Sequence, residues 1–462
     1  MKYLKQYPEY FDSEVEWLRM VPTHWEIVKA KRIFVETSIK GFPNEELLAA
    51  TQSKGVIPKS LYENTTVTAT KNFESLKLVE KGDFVISLRS FQGGIEYAHY
   101  RGIISTAYTI LKPQEEVVHK YFRYLLKSKR YISGLTLLVT GIREGQNIDT
   151  SKFKDSYLPL PPKQEQTTIA NFLDYKTEKI NRFIKKKKQL IKLLNEQKAA
   201  IINKAVTKGI NPNVPMKDSG IEWLGEMPEH WEIRKIKSIL QKSKGSIKPG
   251  PFGSDLKNTD IKKEGFKVYN QRAVLDEDYI QIKDCVNENK FNALNSFHVA
   301  EGDILLTSRG TIGRCSIVPK NHLAGVIHPC IIRLRIDSGI VIHNFVKLFI
   351  EQSKAFQTSL KINSNATTID VIYGNTLKGV VFLTPSIPEQ KKIVNFIYTE
   401  TQTIDQTIST INKEITLVEE YKTALIAEAV TGKIDVRDFK VSSEEMPLAM
   451  VAEEAANYNK TV

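Results

Sequence analysis

Two stretches of the chain, from Gln164 to about Lys208 and from Glu389 to just before Gly432, hold apolar residues at intervals of three and four with no Pro or Gly. In the first they are Ile169, Leu173, Ile180, Ile184, Ile191, Leu194, Ile201 and Ala205. In the second they are Ile393, Ile397, Ile404, Ile408, Ile415, Val418, Leu425 and Ala429. Each residue of one set is separated from its counterpart by the same number of positions. A mean spacing near 3.5 marks a coiled-coil seam. A helix of about 43 residues is a rod of roughly 65 Å, and its apolar stripe needs a partner. The pattern therefore predicts two long helices packed antiparallel within one chain. One seam position is poor: Lys187 aligns with Ile411. The run Lys185–Lys188 reads as a solvated face.

The remaining sequence predicts other elements. DFVISL, GIISTAYTIL, DILLTS and GVIHPCIIRLRI are rich in β-branched residues and read as strands. VHKYFRYLLKS (Val118–Ser128) and IHNFVKLFIEQS (Ile342–Ser353) read as helices. Collinear blocks repeat. SEVEWLRMVPTHWEI returns as SGIEWLGEMPEHWEI, with Trp17 and Trp25 recurring as Trp223 and Trp231 at one offset. LVEKGDFVISLRS matches HVAEGDILLTSRG, PPKQEQTTIANFLD matches IPEQKKIVNFIY, and AAIINKAVTKGI matches TALIAEAVTGKI. The chain is an internal duplication. The predicted class is α+β: two tandem domains of mixed, mostly antiparallel sheet with helices, each followed by a long helix, related by a pseudo-two-fold axis. The expected segments are 1–160, a helix in 161–210, a linker and second domain in 211–385, a helix in 386–435, and a tail in 436–462. The linker Gly209–Ser219 is Pro- and Asn-rich, and the acidic, Ala-rich tail has no counterpart in the first copy.

Composition narrows the function. The 462 residues carry 66 Lys+Arg against 53 Asp+Glu, a net charge of +13. That excess favours a polyanionic partner, nucleic acid before a membrane surface. No signal peptide or membrane-length apolar run is evident. The three cysteines, Cys285, Cys315 and Cys330, read as reduced thiols. The expected location is cytoplasmic.

The order of globular domain, EQxxI-type helix start and long seam helix, given twice, resembles the specificity (S) subunit of type I restriction-modification enzymes. The residues that carry the likeness are LPLPPKQEQTTIANFLD and PSIPEQKKIVNFI, the helix ends INKAVTKGI and IAEAVTGKID, and the W-x4-P-x-HWE segments. KPGPFGSDL (Lys248–Leu256) and EGDILLTSRGTIG (Glu301–Gly313) add to it. The likeness covers nearly all of the chain to about residue 436. It implies two target recognition domains, each reading one half of an asymmetric bipartite DNA sequence. It also implies helices that space the domains and dock two methyltransferase subunits. Adenine methylation with S-adenosylmethionine, and ATP- and magnesium-dependent restriction, would sit on partner subunits. A specificity subunit of a system with a fused cleavage and methylation partner stays open, as does a coiled-coil scaffold that binds no DNA.

The motif search agrees with a non-catalytic chain. No G-x-x-x-x-G-K-[ST] loop and no Asn/Asp-Pro-Pro-Tyr/Phe segment is present. Asp260 with Gln281-Ile282-Lys283 imitates a nuclease spacing, but charged strand ends produce such patterns routinely. Cys315, His322, His328 and Cys330 have zinc-compatible types at irregular spacing, so they read as ordinary thiols and histidines, with no metal expected. Chemistry is placed in DNA contact: Lys/Arg on phosphates, and Arg, Asn, Gln and hydroxyls at base edges. In the first domain the candidates are Arg89, Ser90, Gln92, Gly93, Gly94, Arg143, Gln146 and Asn147. In the second they are Lys244, Lys248, Ser254, Gln271, Arg272, Arg309, Thr311, Arg314, Asn365 and Thr367. The Gly-Asp pairs at 82–83 and 302–303 read as turns into strands, and the tryptophans as structural anchors.

Overall fold

The structure, a computed structural model, describes residues 5–62, 72–87, 90–135, 139–140, 147–364 and 371–440. It divides into two compact units. One comprises Met1–Gln189 with Ile411–Val462, the other Leu190–Thr410. The long helices are Lys163–Lys208 and Ile387–Val430, so each helix gives one part to each unit.

The two units repeat one strand plan. In the first, an antiparallel sheet has the order Phe34–Thr37, Thr109–Pro113, Phe84–Ile86, Glu96–Tyr97. In the second the order is Ile247–Pro249, Ile331–Leu334, Ile304–Thr307, Cys315–Ile317. In each, the HWEI strand pairs with the strand that leads into a long helix: Glu26–Lys29 with Tyr157–Leu160, and Glu232–Lys235 with Val381–Thr384. The small sheets differ. The first unit has two antiparallel pairs, Leu48–Thr51 with Gly55–Pro58 and Lys77–Val79 with Gly102–Ile104, joined by an isolated parallel bridge of Leu47 with Ile103. The second has a three-stranded sheet in which Phe266–Tyr269 runs parallel to Gly325–Ile327. The α+β class is as expected.

Two predicted strands are each broken in two. GIISTAYTIL becomes Gly102–Ile104 and Thr109–Pro113, separated by a turn in which Tyr108 N–H donates to Ser105 C=O. GVIHPCIIRLRI breaks at His328-Pro329, because Pro lacks a ladder donor. Both Gly-Asp pairs are turns: Gly82 and Gly302 have φ of +103° and +79°. The following carboxylates accept the N–H of Glu80 and Ala300.

Within each unit the helix parts run antiparallel. In the first, Asn181 accepts from Lys422 Nζ at 3.0 Å and Lys187 pairs with Glu414 at 2.7 Å, so partner numbers fall as the first helix advances. In the second, Lys198 meets Asp405 at 2.6 Å, and further on Ile202 and Ala205 share a core with Ile393 and Ile397. Ile169, Leu173, Ile180, Ile184, Ile393, Ile397, Ile404, Ile415, Val418 and Leu425 are buried. Ile191, Leu194, Ile201 and Ile408 are half-buried, whereas Ile202 and Ile411 are buried. A 3.6-residue helix drifts against a 3.5 repeat, and toward its end Ile202 and Val206 face the second unit's core, which includes the seam residues Ile393 and Ile397. Lys187 keeps its seam position by holding its ammonium 5.2 Å from the centre of the Phe183 ring and 2.7 Å from Glu414.

Candidate nucleic-acid interface

The repeated HW and EQ phrases meet. In the first unit one Glu165 carboxylate oxygen accepts from Trp25 Nε1 at 2.9 Å and from the Tyr7 hydroxyl. The other oxygen lies 2.8 Å from His24 Nε2. In the second unit Glu389 holds Trp231 Nε1 at 3.0 Å and His230 Nε2 at 2.8 Å. The adjacent glutamines fasten the helix start to the sheet domain. Gln166 Oε1 accepts from Val118 N–H and Gln390 Oε1 from Ile342 N–H, both at the start of a short helix. Each glutamine's Nε2 donates to the C=O of a preceding proline, Pro161 or Pro385. Burial beside Glu165 pushes the Tyr7 hydroxyl far above its usual range. The duplicated blocks are thus a latch that fixes each sheet domain on its long helix, and the loops project from this frame.

The far end of the latch is also repeated. After the second long helix Gly432, at φ +71°, lies against Pro22 and Trp25. Asp435 N–H donates to Lys5 C=O at 2.7 Å, and Phe439 meets Phe172 edge-on. After the first long helix Gly209, at φ +75°, lies against Trp231 and Pro228. Only Gly accepts this conformation without strain.

In the second unit the candidate loops converge. Ser308 N–H donates to Cys330 C=O, and Ser308 C=O accepts from Ile372 N–H, both at 2.8 Å. Arg309 bridges to Val371. Gly310, at φ +71°, leaves room for the Gln271 amide, which a Cβ would approach to 2.9 Å. Thr307 closes the loop from the other side by accepting Arg314 N–H at 3.0 Å. Asn270 caps the Gln271–Leu275 helix through the N–H groups of Arg272 and Ala273. Arg309, Thr311 and Arg272 are exposed, with Arg272 spanning to Asp276 at 3.0 Å. Arg314 is held by Glu351 at 3.3 Å. Lys248 stands 4.3 Å over the Phe297 ring, and Lys244 and Ser254 are exposed. Asn365 and Thr367 lie outside the described residues.

In the first unit the candidates separate. Arg89, Arg143 and Gln146 lie outside the described residues, and Asn147 is described only as strand backbone. Gln92 is exposed. Two of the candidates are turned inward. Ser90 is buried, its hydroxyl accepting from Ser87 N–H at 2.8 Å, and so serves a turn. Gly94, at φ +80°, is buried with its Cβ position 2.4 Å from Leu126 C=O, so it serves packing. Lys127 fastens the loop, donating to Gln52 C=O, Gly93 C=O and both oxygens of Glu96 at 2.6–2.9 Å. Burial nevertheless pushes the Glu96 carboxyl up to about 7, with Lys127 pulling the other way.

The other constellations resolve into local roles. Asp260 accepts from Lys257 N–H and pairs with Lys290, while Gln281 and Lys283 are exposed. His328 Nδ1 is 3.0 Å from Cys330 Sγ, and burial lowers the imidazole and raises the thiol. Cys315 is buried in the main core of this unit. Among the described residues no three His, Cys, Asp or Glu side chains gather as a metal site. Two exposed aromatics went unread as site residues. Phe252 is 81% exposed and Tyr373 is 62% exposed. A Phe enclosed by Gly and Pro in PGPFGS, outside any helix or strand period, was the available signal.

The description "Type I restriction modification DNA specificity domain" matches residues 22–193 and 228–417. The chain belongs to this specificity family. The two matched segments follow the two repeats, each comprising a latch, a sheet domain and part of a long helix. Among curated relatives, the type I restriction enzyme MjaVIII specificity subunit of Methanocaldococcus jannaschii is 26% identical over 446 residues, covering 94% of this chain and 98% of its own. The EcoKI specificity subunit of Escherichia coli K12 is 20% identical, covering 70% of this chain and 68% of its own. A chain solved in work on complex assembly and conformational transition of the type I R-M system superposes with a TM-score of 0.65. It is 14% identical and covers 90% of this chain and 99% of that one, so it shows a shared fold. No helix among the described residues is long and apolar enough to cross a membrane.

Proposed function

We propose that this specificity-family protein is the sequence-reading subunit of a type I restriction-modification complex, with each unit reading one half of an asymmetric bipartite site. The observation that carries this reading is the pair of latches. They present one scaffold twice, while the loops on it differ: SRGTIGR and the capped Gln271 helix in one unit, SFQGG fastened by Lys127 in the other. The same frame bearing unlike loops fits two unlike half-sites. Arg309, Thr311, Gln271 and Arg272 converge as donors and acceptors of the kind that read base edges, and the net charge of +13 suits a phosphate backbone.

The long helices link the readers covalently and offer two similar surfaces, as two copies of one methyltransferase partner would need. In this reading the chain is not itself an enzyme. Adenine methylation with S-adenosylmethionine, and ATP- and magnesium-driven restriction, belong to partner subunits, and the complex works in the cytoplasm. The test is to map modified adenines in cells that express the subunit with its methyltransferase partner. The expected result is one bipartite motif with two dissimilar halves and a fixed gap. A continuous motif, or the same motif after the subunit is deleted, refutes the proposal. A scaffold that binds only protein would leave no motif at all.

A further inference from the structure

We propose that Phe252 is an apolar wedge that enters the duplex and unstacks one base step in the half-site read by the second unit, an inference that rests on the DNA-reading function above. Four observations converge on it. The first is exposure: at 81%, Phe252 exceeds every other exposed large apolar side chain described. Its neighbours Gly253 and Ser254 are exposed too and carry no large apolar side chain, while Tyr373, 62% exposed, precedes the Gly374 that meets Pro249.

The second is rigidity. Pro251 on one side and Leu256 on the other are buried, Leu256 among Val268, Val286 and Val326. Between them Asp255 accepts Phe252 N–H at 3.3 Å, while Asp255 and Leu256 N–H donate back to Phe252 C=O at 2.9 and 3.2 Å. The ring stands on a closed turn, so the backbone that carries it is ordered before the ring is buried.

The third is position. Gly250 packs so tightly on His328 C=O that a Cβ would come within 2.1 Å, and Pro249 lies against Gly374. These contacts join the turn to the segments at 328–330 and 371–374, which already hold the Arg309 loop. The fourth is charge: Lys257 directly after the turn and Arg309 on the loop beside it are exposed, against one exposed carboxylate, Asp255, within the turn, as suits a wedge beside phosphates. Apolar side chains that unstack a step in this way are an established mode of duplex deformation. Among the described residues the corresponding loop of the first unit partly buries its phenylalanine instead. Its Phe42, in the loop after the corresponding strand, packs with Leu47 and Phe73 against Leu76, Leu78 and Ile103.

The experiment uses the full subunit assembled with its methyltransferase partner and a duplex selected by that complex from a random pool. 2-Aminopurine is walked through both half-sites. Wild type should raise its emission at one step, in the second unit's half-site alone. Phe252→Ala should abolish that rise and weaken binding roughly ten- to a hundredfold, with unchanged thermal unfolding and partner assembly. Phe252→Trp should keep both the rise and the affinity. Unchanged emission and affinity in Phe252→Ala overturn the wedge while leaving DNA reading intact. Loss of partner assembly in that variant assigns the ring to a protein contact and also overturns it. If the wild-type complex selects no sequence, the function proposed above fails and the wedge falls with it.

Discussion

Replacing Glu165 by Ala should damage the protein more than replacing Glu389, although the two glutamates occupy equivalent positions in the repeat. Glu165 has a side chain 5% exposed and receives Tyr7, Trp25 and His24. Glu389 is 22% exposed and receives only Trp231 and His230 among the described residues. A hydrogen bond to a charged group contributes about 1.5–3 kcal/mol, and a buried donor left without a partner costs about 1–3 kcal/mol. Bonds that share one carboxylate are not additive. Deleting Glu165 strands two buried donors, on Tyr7 and Trp25, for about 4 kcal/mol. At Glu389 water can reach part of the site, so about 2 kcal/mol is expected. Either is a large share of the roughly 5–15 kcal/mol that holds a domain folded.

Urea unfolding followed by tryptophan emission reads this directly, because all four tryptophans lie in the latch segments. Trp231→Phe leaves the first latch as the main reporter, and Trp25→Phe the second. With m near 2–3 kcal/mol/M, Glu165→Ala should lower its unit's midpoint by roughly 1.5 M. Glu165→Gln, which can still accept from Trp25, should fall between Ala and wild type. The reasoning is refuted if Glu389→Ala costs as much as Glu165→Ala, or if both cost under about 0.5 kcal/mol, as ordinary surface changes do.

Three further outcomes follow from the geometry. Burial raises the folded Glu96 carboxyl to about 7, against an ordinary 4.5; the native state then holds the proton more tightly, so stability is full below about pH 4.5 and falls as pH rises toward 7. By linkage the loss is about 3 kcal/mol; Glu96→Gln should remove that slope from a pH series of thermal unfolding, and an unchanged slope in the variant contradicts the assignment. Gly432→Ala should destabilise the first unit by about 1–3 kcal/mol, because the added Cβ would lie 2.4 Å from Pro22 and the backbone has φ +71°; calorimetry showing no change would sink this account. Arg309→Ala should alter only the half-site read by the second unit, at roughly 1–3 kcal/mol per lost base contact, and base-by-base profiling that places the loss in the other half would reverse the assignment of units.

The sequence by itself determined the duplication, the two long helices and their seam. Helical periodicity is a local property, written in residues three and four apart, and a repeated block can be recognised without knowing what it touches. Lys163–Lys208 and Ile387–Val430 occupy the periodic stretches, the second ending five residues before the expected 435. The tertiary structure decided what the repeated words do. HW and EQ lie 140–141 residues apart in the first unit and 158–159 in the second, and each pair meets at one carboxylate, a contact that no local pattern encodes. It also decided which loop residues face outward. SFQGG and SRGTIG read alike as glycine-bearing loops after a strand, yet Ser90 and Gly94 are turned into the protein while Arg309 and Thr311 are left on the surface. Phe252, written in apolar letters, stands in solvent for the same reason. The direction of a loop side chain is set by the long-range packing of the segments that pin the loop, and that packing exists only once the chain has folded.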